Sequence, residues 1–475
     1  MRLSHVGGAF VSLLHAVFLS FYTDLFLRQH IPAVGHGFAN VEEGTVGSDS
    51  RATLWYFVLG QLLYAFWNGV KEVAFERRCG NVYSYSVTRV QMWRLSCCGP
   101  IWAMAFALLW FPVSASLLHP AVRFTLMMAV YDKLLGLCRT ALETLSRGEL
   151  QPGDLGAEVY DVLGGVAVAL ACYLSELEST DGDAFSAFRW FTTICAIAAA
   201  LALYTCGRQQ LKTEETVWVE GTPESLQDLK LFAQQTLNRC SMKAAVLLWT
   251  LQEYNDVFAT CFFNVFLTMC SSTVSLPVRA LMLLLAYVTP HMVIAAAVPF
   301  LKAIGKKRLV SVLLLLRASV GALFIAVALC DRALVFHGDV KTSSRFVILL
   351  LFSNRLLTDT VSHVQSLVLS DLVDEDTVIF ARLHRMTAPT QQLLTIVSKP
   401  FQSLSLALTC LLLVHMCQDN ATRLEGAAWL AGGTAFFTSL LALWGWGLYY
   451  NLDGYHLQFV LMAVRKRADG DVPVV

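Results

Sequence analysis

Apolar runs separated by short polar breaks fill most of the chain. The first run covers about 6–27, and five more cover about 53–75, 96–118, 121–145, 157–175 and 187–207. A polar stretch, about 208–240, then interrupts the pattern with Arg208, Lys212, Glu214, Glu215, Glu220, Glu224, Asp228 and Lys230. Six further runs follow, about 243–270, 276–301, 308–330, 345–370, 387–416 and 427–450. About 20 apolar residues in a helix cross the hydrocarbon core of a bilayer. The pattern therefore predicts an all-α membrane protein with twelve transmembrane helices in two six-helix halves. The expected units are an N-terminal bundle (1–207), a cytoplasmic linker (208–242), a C-terminal bundle (243–456) and a cytoplasmic tail (457–475). The first run carries only Arg2 as an early charge and no small-residue cleavage site follows, so it is expected to be kept as a span.

Composition narrows the functional class. The 475 residues are 56% hydrophobic and 15% charged, with mean hydropathy +0.57. A soluble domain carries about 25% charge, so a soluble enzyme is excluded. Thirty-five basic residues balance thirty-five acidic ones, which gives no attraction to nucleic acid. Cysteines such as Cys138, Cys172, Cys195, Cys261, Cys270, Cys330 and Cys410 sit inside apolar runs and read as small buried hydrophobes. There is no C-x-x-C pair and no Cys/His cluster at zinc spacing, so no metal site is expected. Walker, G-x-G-x-x-G, H-E-x-x-H and G-x-S-x-G motifs are absent too. The expected partners are a small polar solute and membrane lipid, with no cofactor and no enzymatic role.

Lysine and arginine placement sets an expected orientation. With the N-terminus inside, the inner segments hold Arg77, Arg78, Arg89 and Arg94, then Arg208 and Lys212. Later inner segments hold Lys302, Lys306, Lys307 and Arg308, then Arg382 and Arg385, and finally Arg465, Lys466 and Arg467. The outer loop after the fifth span is acidic, with Glu176, Glu178, Asp181 and Asp183. Both termini are thus expected to be cytoplasmic, in an integral multi-pass protein whose membrane is undetermined.

The spans also carry charge, which is costly in lipid and marks functional positions. Asp24 closes the first span after Tyr22. Asn68 and Glu72 share a face of the second, with Lys71 beside them. Asp132, Arg139 and Glu143 form a stripe on the fourth; Glu253, Asp256 and Asn264 form one on the seventh. Arg355, Asp359 and His363 follow at steps of four on the tenth, with Asn354 beside them. Gln392, Thr395, Lys399 and Gln402 share a face of the eleventh. A cavity between the halves, lined from both, accounts for all these stripes. Lys399 is expected to pair across it with a carboxylate on span one, two or four. Asp371, Asp374, Glu375 and Asp376 end the tenth span near Arg382 and are candidates for gating.

Several of these segments resemble a known family. Ser353-Asn354-Arg355, Ser370 through Asp376, Arg382 and Ser398-Lys399-Pro400 resemble the transmembrane protein 180 group (major facilitator domain-containing 13A), as do Trp67-Asn68 and Tyr131-Asp132. More distantly, Tyr22-Thr23-Asp24, Asp371 to Asp374 and Lys399 resemble the glycoside–cation symporters of the melibiose-carrier type. The resemblance implies a major facilitator fold with substrate bound between the halves near the midplane. It also implies a departure. Where those symporters hold a cation with two carboxylates four apart, this chain offers Asn68 and Glu72, with Lys71 adjacent, and Arg139 falls near their sugar-binding aspartate. A lysine there repels Na⁺, which argues against sodium and leaves a proton as the candidate coupling ion. The function expected is transport of a small polar solute by alternating access. The alternative is a transport-inactive homologue acting as a membrane receptor or scaffold.

Overall fold

The computed structural model describes residues 3–30, 48–79, 86–111, 119–146, 155–177, 185–212, 226–269, 274–334, 340–382, 386–416 and 423–468. Among these, helix is the only regular structure. The first half contains α1 (Leu3–His30), α2 (Ser48–Cys79), α3 (Ser86–Leu109), α4 (Pro120–Ser146), α5 (Leu155–Leu177) and α6 (Ser186–Lys212). A short α7 (Leu226–Asn238) lies in the polar stretch. The second half contains α8 (Cys240–Cys261), α9 (Phe263–Met269), α10 (Leu276–Ile304), α11 (Lys306–Leu334), α12 (Val340–Ile379), α13 (Thr387–Ser398), α14 (Pro400–Met416) and α15 (Arg423–Tyr449). A final helix, α16 (Gly454–Ala468), follows.

Two predicted spans are each split into two helices. The seventh breaks at Phe262 between α8 and α9. The eleventh breaks at Lys399 between α13 and α14. Lys399 keeps helical dihedrals and donates its N–H to Thr395 O at 2.9 Å, but Pro400 has no N–H to continue the ladder. The proline therefore places a break beside the one lysine of this span.

Seven helices among the described residues are long and apolar enough to cross a membrane, including His5–Arg28, Ser186–Gln209, Lys306–Cys330 and Glu425–Tyr449. Helices α2, α4, α8 and α12, which carry the intramembrane charges, fall outside that group, and α5 offers only the shorter apolar stretch Val162–Glu176. The outward surface matches a lipid solvent. On α6, Trp190, Ile194, Ile197 and Leu201 form an exposed stripe at helical spacing, a surface too apolar for water.

The packing repeats with an offset of six spans. Helix α3 packs on α4 and α6, and α11 packs on α12 and α15; α1 packs on α5 as α8 packs on α14. Both versions of the α3–α6 pair depend on glycine. A Cβ at Gly207 would stand 2.7 Å from Met92 O, and one at Gly321 would stand 2.6 Å from Phe436 N. Small residues let such backbones approach. Gly432 and Gly445 are in close contacts as well, whereas Gly433 and Gly447 face open space and have no packing role. The halves meet where α5 packs on α10, α2 on α14 and α1 on α8.

Candidate functional site

Polar groups from both halves converge midway along the bundle. Tyr64 on α2 donates its hydroxyl to Asp132 Oδ2 on α4 at 2.9 Å. His15 on α1 stacks on Tyr131, with Nδ1 and the tyrosine hydroxyl 3.4 Å apart. From the other half, Gln402 Nε2 on α14 donates to Glu253 Oε2 on α8 at 2.5 Å. Lys399, Arg139 and Asp132 all lie within Coulomb range of Glu253. Two carboxylates and two cations thus share one region, contributed by α4, α8 and the α13–α14 break. Arg139 is exposed, and Asp132, Glu253 and Lys399 are half-buried. A solute entering here would meet donors and acceptors whose orientation is already fixed.

A second network lies within the C-terminal half. Asp256 accepts Gln252 Nε2 at 3.0 Å on one oxygen and Ser362 Oγ at 2.6 Å on the other. Arg317 is fully buried on α11; it donates to Gln252 Oε1 at 2.7 Å and to Ser439 Oγ at 2.6 Å. Gln252 therefore relays Arg317 to Asp256, so that neither buried charge is left without polar contact. One turn along, Arg355 pairs with Asp359 at 2.9 Å, donates to Thr260 Oγ1 and lies over the Tyr287 ring. Tyr287 in turn shares a 3.0 Å hydrogen bond with Ser20 on α1, across the halves.

At the end of the bundle away from the termini, called here the far end, charges link the halves directly. Asp24 accepts Arg28 at 2.8 Å and, on the same oxygen, Asn264 Nδ2 of the other half at 2.8 Å. Glu176 on α5 pairs with Arg279 on α10 at 2.6 Å and stands 3.8 Å from Arg28. At the near end the acidic run of α12 is paired within its own half and the linker. Asp371 pairs with Lys306 at 2.6 Å, Glu375 with Arg239 at 2.8 Å, and Asp376 with Arg239 at 3.2 Å and Arg382 at 2.5 Å. Burial pushes the Asp371 carboxyl above the usual carboxylate range, against the pull of Lys306.

The remaining expected site residues fall as follows. Tyr22 is packed in an aromatic core, stacked on Phe124 at 4.3 Å with its hydroxyl donated to Phe124 O at 3.1 Å. Asn68 and Asp374 are buried. Lys71 and Glu72 lie on α2, but their side chains, like that of Glu143, are outside the described residues. Several contributors were not expected from sequence, among them Tyr64, His15, Gln252 and Arg28, and three arginines stand out. Arg317 is a lone arginine in the run Leu313–Leu316 to Val320, a signal as plain as Lys399. Arg279 sits four residues into α10, and Arg239 sits at the α7–α8 junction; neither position marks itself in hydropathy.

The helix order, the six-span repeat and the site between the halves define the major facilitator fold. Solved structures share it. A nucleoside transporter, NupG, aligns with TM-score 0.60 at 13% identity over 93% of this chain and 99% of its own. A D-xylose-proton symporter aligns with TM-score 0.55 at 16% identity over 93% and 95%. The inward-open xylose transporter XylE from E. coli aligns with TM-score 0.51 at 13% identity over 97% and 98%. No family model matches the chain. In sequence the chain is similar to Transmembrane protein 180 of Gallus gallus, 23% identical over 449 residues, 86% of this chain and 80% of that protein. The Mus musculus protein of the same name is 23% identical over 431 residues, covering 83% and 76%. The likeness expected from the 350–400 segment is therefore borne out, and the chain is an integral multi-pass membrane protein.

Proposed function

We propose that the chain moves a small polar solute by alternating access, its halves rocking about the cavity lined by Tyr64, Asp132, Arg139, Glu253, Lys399 and Gln402. The observation that carries this reading is the approach of α4 and α8 charges from opposite halves around Glu253. Charge at this depth is costly in lipid, and an aqueous solute path gives it a use. Two proteins of the same fold, a nucleoside transporter and a D-xylose symporter, make nucleosides and sugars the first candidates. The Glu176–Arg279 and Asp24–Asn264 contacts serve as the far-end gate. The near-end acidic run, Asp371 to Asp376 with Arg382, acts as a rigid brace of the C-terminal half. Near end and termini are assigned to the cytoplasm by the positive-inside count.

Sodium coupling is disfavoured. Asp24 is already occupied by Arg28 and Asn264, and Asn68 replaces a carboxylate. A proton, carried by one of the cavity carboxyls, is the coupling ion that fits. The missing second carboxylate also favours the alternative, a transport-inactive receptor or scaffold.

A thermal-shift screen of the purified chain against nucleosides, sugars, organic anions and amino acids tests the reading. A ligand at about 100 times its Kd adds about 2.7 kcal/mol of stability. The shift is expected to disappear in Lys399→Ala and Glu253→Gln while membrane insertion is kept. A screen with no responder in any class rejects the solute site and leaves the receptor reading.

A further inference from the structure

Helix α16 has two apolar faces. Leu457, Val460 and Val464 turn inward, and Val460 is 1% exposed where α16 packs on α12. On the opposite side, Tyr455, Phe459 and Met462 follow at i, i+4 and i+7, all exposed, Tyr455 at 92%. Lys466 continues that same stripe one turn on. From Gly454 to Ala468 the helix carries no acidic residue and ends on Arg465-Lys466-Arg467. The docked face explains the inner apolar residues and leaves the outer stripe unexplained.

The position of the helix is fixed. Only four residues separate α15 from α16, and two of them are anchored: Tyr450 stacks on Trp446 at 3.8 Å and Leu452 is buried. The last turns of α15 expose Trp444, Leu448 and Tyr449. The outer stripe of α16 therefore follows, four residues on in the chain, the exposed apolar positions that end α15.

We propose that α16 is an interfacial anchor that binds the anionic leaflet: Tyr455, Phe459 and Met462 enter the acyl boundary, and Arg465 and Lys466 engage anionic headgroups. An aromatic and aliphatic face with a basic end is the pattern of helices that lie in the headgroup plane. Each basic residue close to an anionic surface multiplies the binding constant about fivefold.

Hydrogen–deuterium exchange of the full chain in nanodiscs provides the test. One set of discs is phosphatidylcholine alone, and the other contains about a third phosphatidylserine. Amides over 454–468 are expected to exchange at least ~5-fold more slowly in the anionic discs. Arg465→Gln/Lys466→Gln removes that difference, with exchange in α15 unchanged. Phe459→Ser/Met462→Ser raises exchange in both lipids. Equal protection of 454–468 in the two lipids overturns the proposal. So does protection confined to discs holding two copies whatever the lipid, which assigns the stripe to a second copy of the chain.

Discussion

Glu176→Gln is the sharpest test of the far-end gate. Its Oε1 lies 2.6 Å from Arg279, which is 2% exposed, and 3.8 Å from Arg28. The substitution keeps the shape and removes the charge. Losing one partner of a buried pair costs about 3–5 kcal/mol. Glu176 itself is 23% exposed, so screening reduces the figure to about 2 kcal/mol. The pair joins α5 to α10, so the cost falls on the conformer whose far ends meet and spares one whose far ends part. At about 1.4 kcal/mol per tenfold, the ratio of conformers shifts about thirtyfold toward far-end opening. Spin labels at Tyr173 and Val278, exposed on α5 and α10, report it by double electron–electron resonance. A second, longer distance should gain population in Glu176→Gln. Removing both partners, with Arg279→Gln added, should cost less than the sum of the single changes. A melting temperature that falls while the distance distribution stays unchanged would show a pair that stabilises the fold without gating it.

Three further outcomes are expected. A Cβ at Gly165 would stand 2.8 Å from Tyr287 Cβ across the halves, so Gly165→Leu should also lengthen the α5–α10 distance in the same spin-label measurement. Lys306→Ala removes the cation 2.6 Å from Asp371, whose carboxyl burial already raises. A raised acid stabilises most when protonated, so this variant should lose melting temperature as pH rises above the ordinary carboxylate range, more than the wild type does, and Asp371→Asn should abolish the slope. Arg317→Met strips the donors from Gln252 and Ser439 and should lower stability by about 2–4 kcal/mol in detergent melts, with Arg317→Lys recovering less than half because an ammonium lacks the guanidinium fork.

Hydropathy predicted most of the helices. The run 6–27 became Leu3–His30 and the run 427–450 became Arg423–Tyr449. It did not reveal the breaks at Phe262 and Lys399, because one residue leaves an apolar average unchanged. It also did not reveal α16, most of which (457–468) fell in the region read as a tail. Intramembrane charge was legible as stripes; the charges of Lys399, Arg139 and Asp132 act on Glu253 of the seventh span, a carboxylate outside spans one, two and four, where the partner of Lys399 was expected. Partners were not legible. Asp24 looked like a cavity carboxylate but is tied to Arg28 and to Asn264, 240 residues away in sequence. Glu176 was counted with an acidic loop but forms the α5–α10 pair. Such identities depend on which helix faces which, and a periodicity within one helix does not contain that information.

The two ends of the bundle are built differently, and the difference bears on how a solute would drive the cycle. At the far end, Glu176–Arg279, Asp24–Asn264 and Ser20–Tyr287 all cross between the halves. At the near end, Lys306–Asp371, Arg239–Glu375 and Arg382–Asp376 stay on one side. None of these three near-end pairs would break on separating the near ends, whereas separating the far ends breaks the Glu176–Arg279 pair and the hydrogen bonds that Asn264 and Tyr287 make to α1. With about 2 kcal/mol for the pair and about 1 kcal/mol for each hydrogen bond, these contacts favour far-end closure by about 4 kcal/mol. A ligand moves such an equilibrium only by its difference in affinity for the two conformers. A bias of about 4 kcal/mol is a ratio of about 1:900. Levelling it takes a difference in affinity of about 4 kcal/mol and inverting it about 8 kcal/mol, which is what a solute held more tightly by Glu253, Lys399 and Arg139 when the far ends part has to supply. A solute that binds both conformers equally would leave their ratio unchanged. Titrating the responding ligand into Glu176→Gln separates the two: a solute that prefers the far-end-open conformer binds more tightly than in the wild type, and an unchanged Kd rules that preference out.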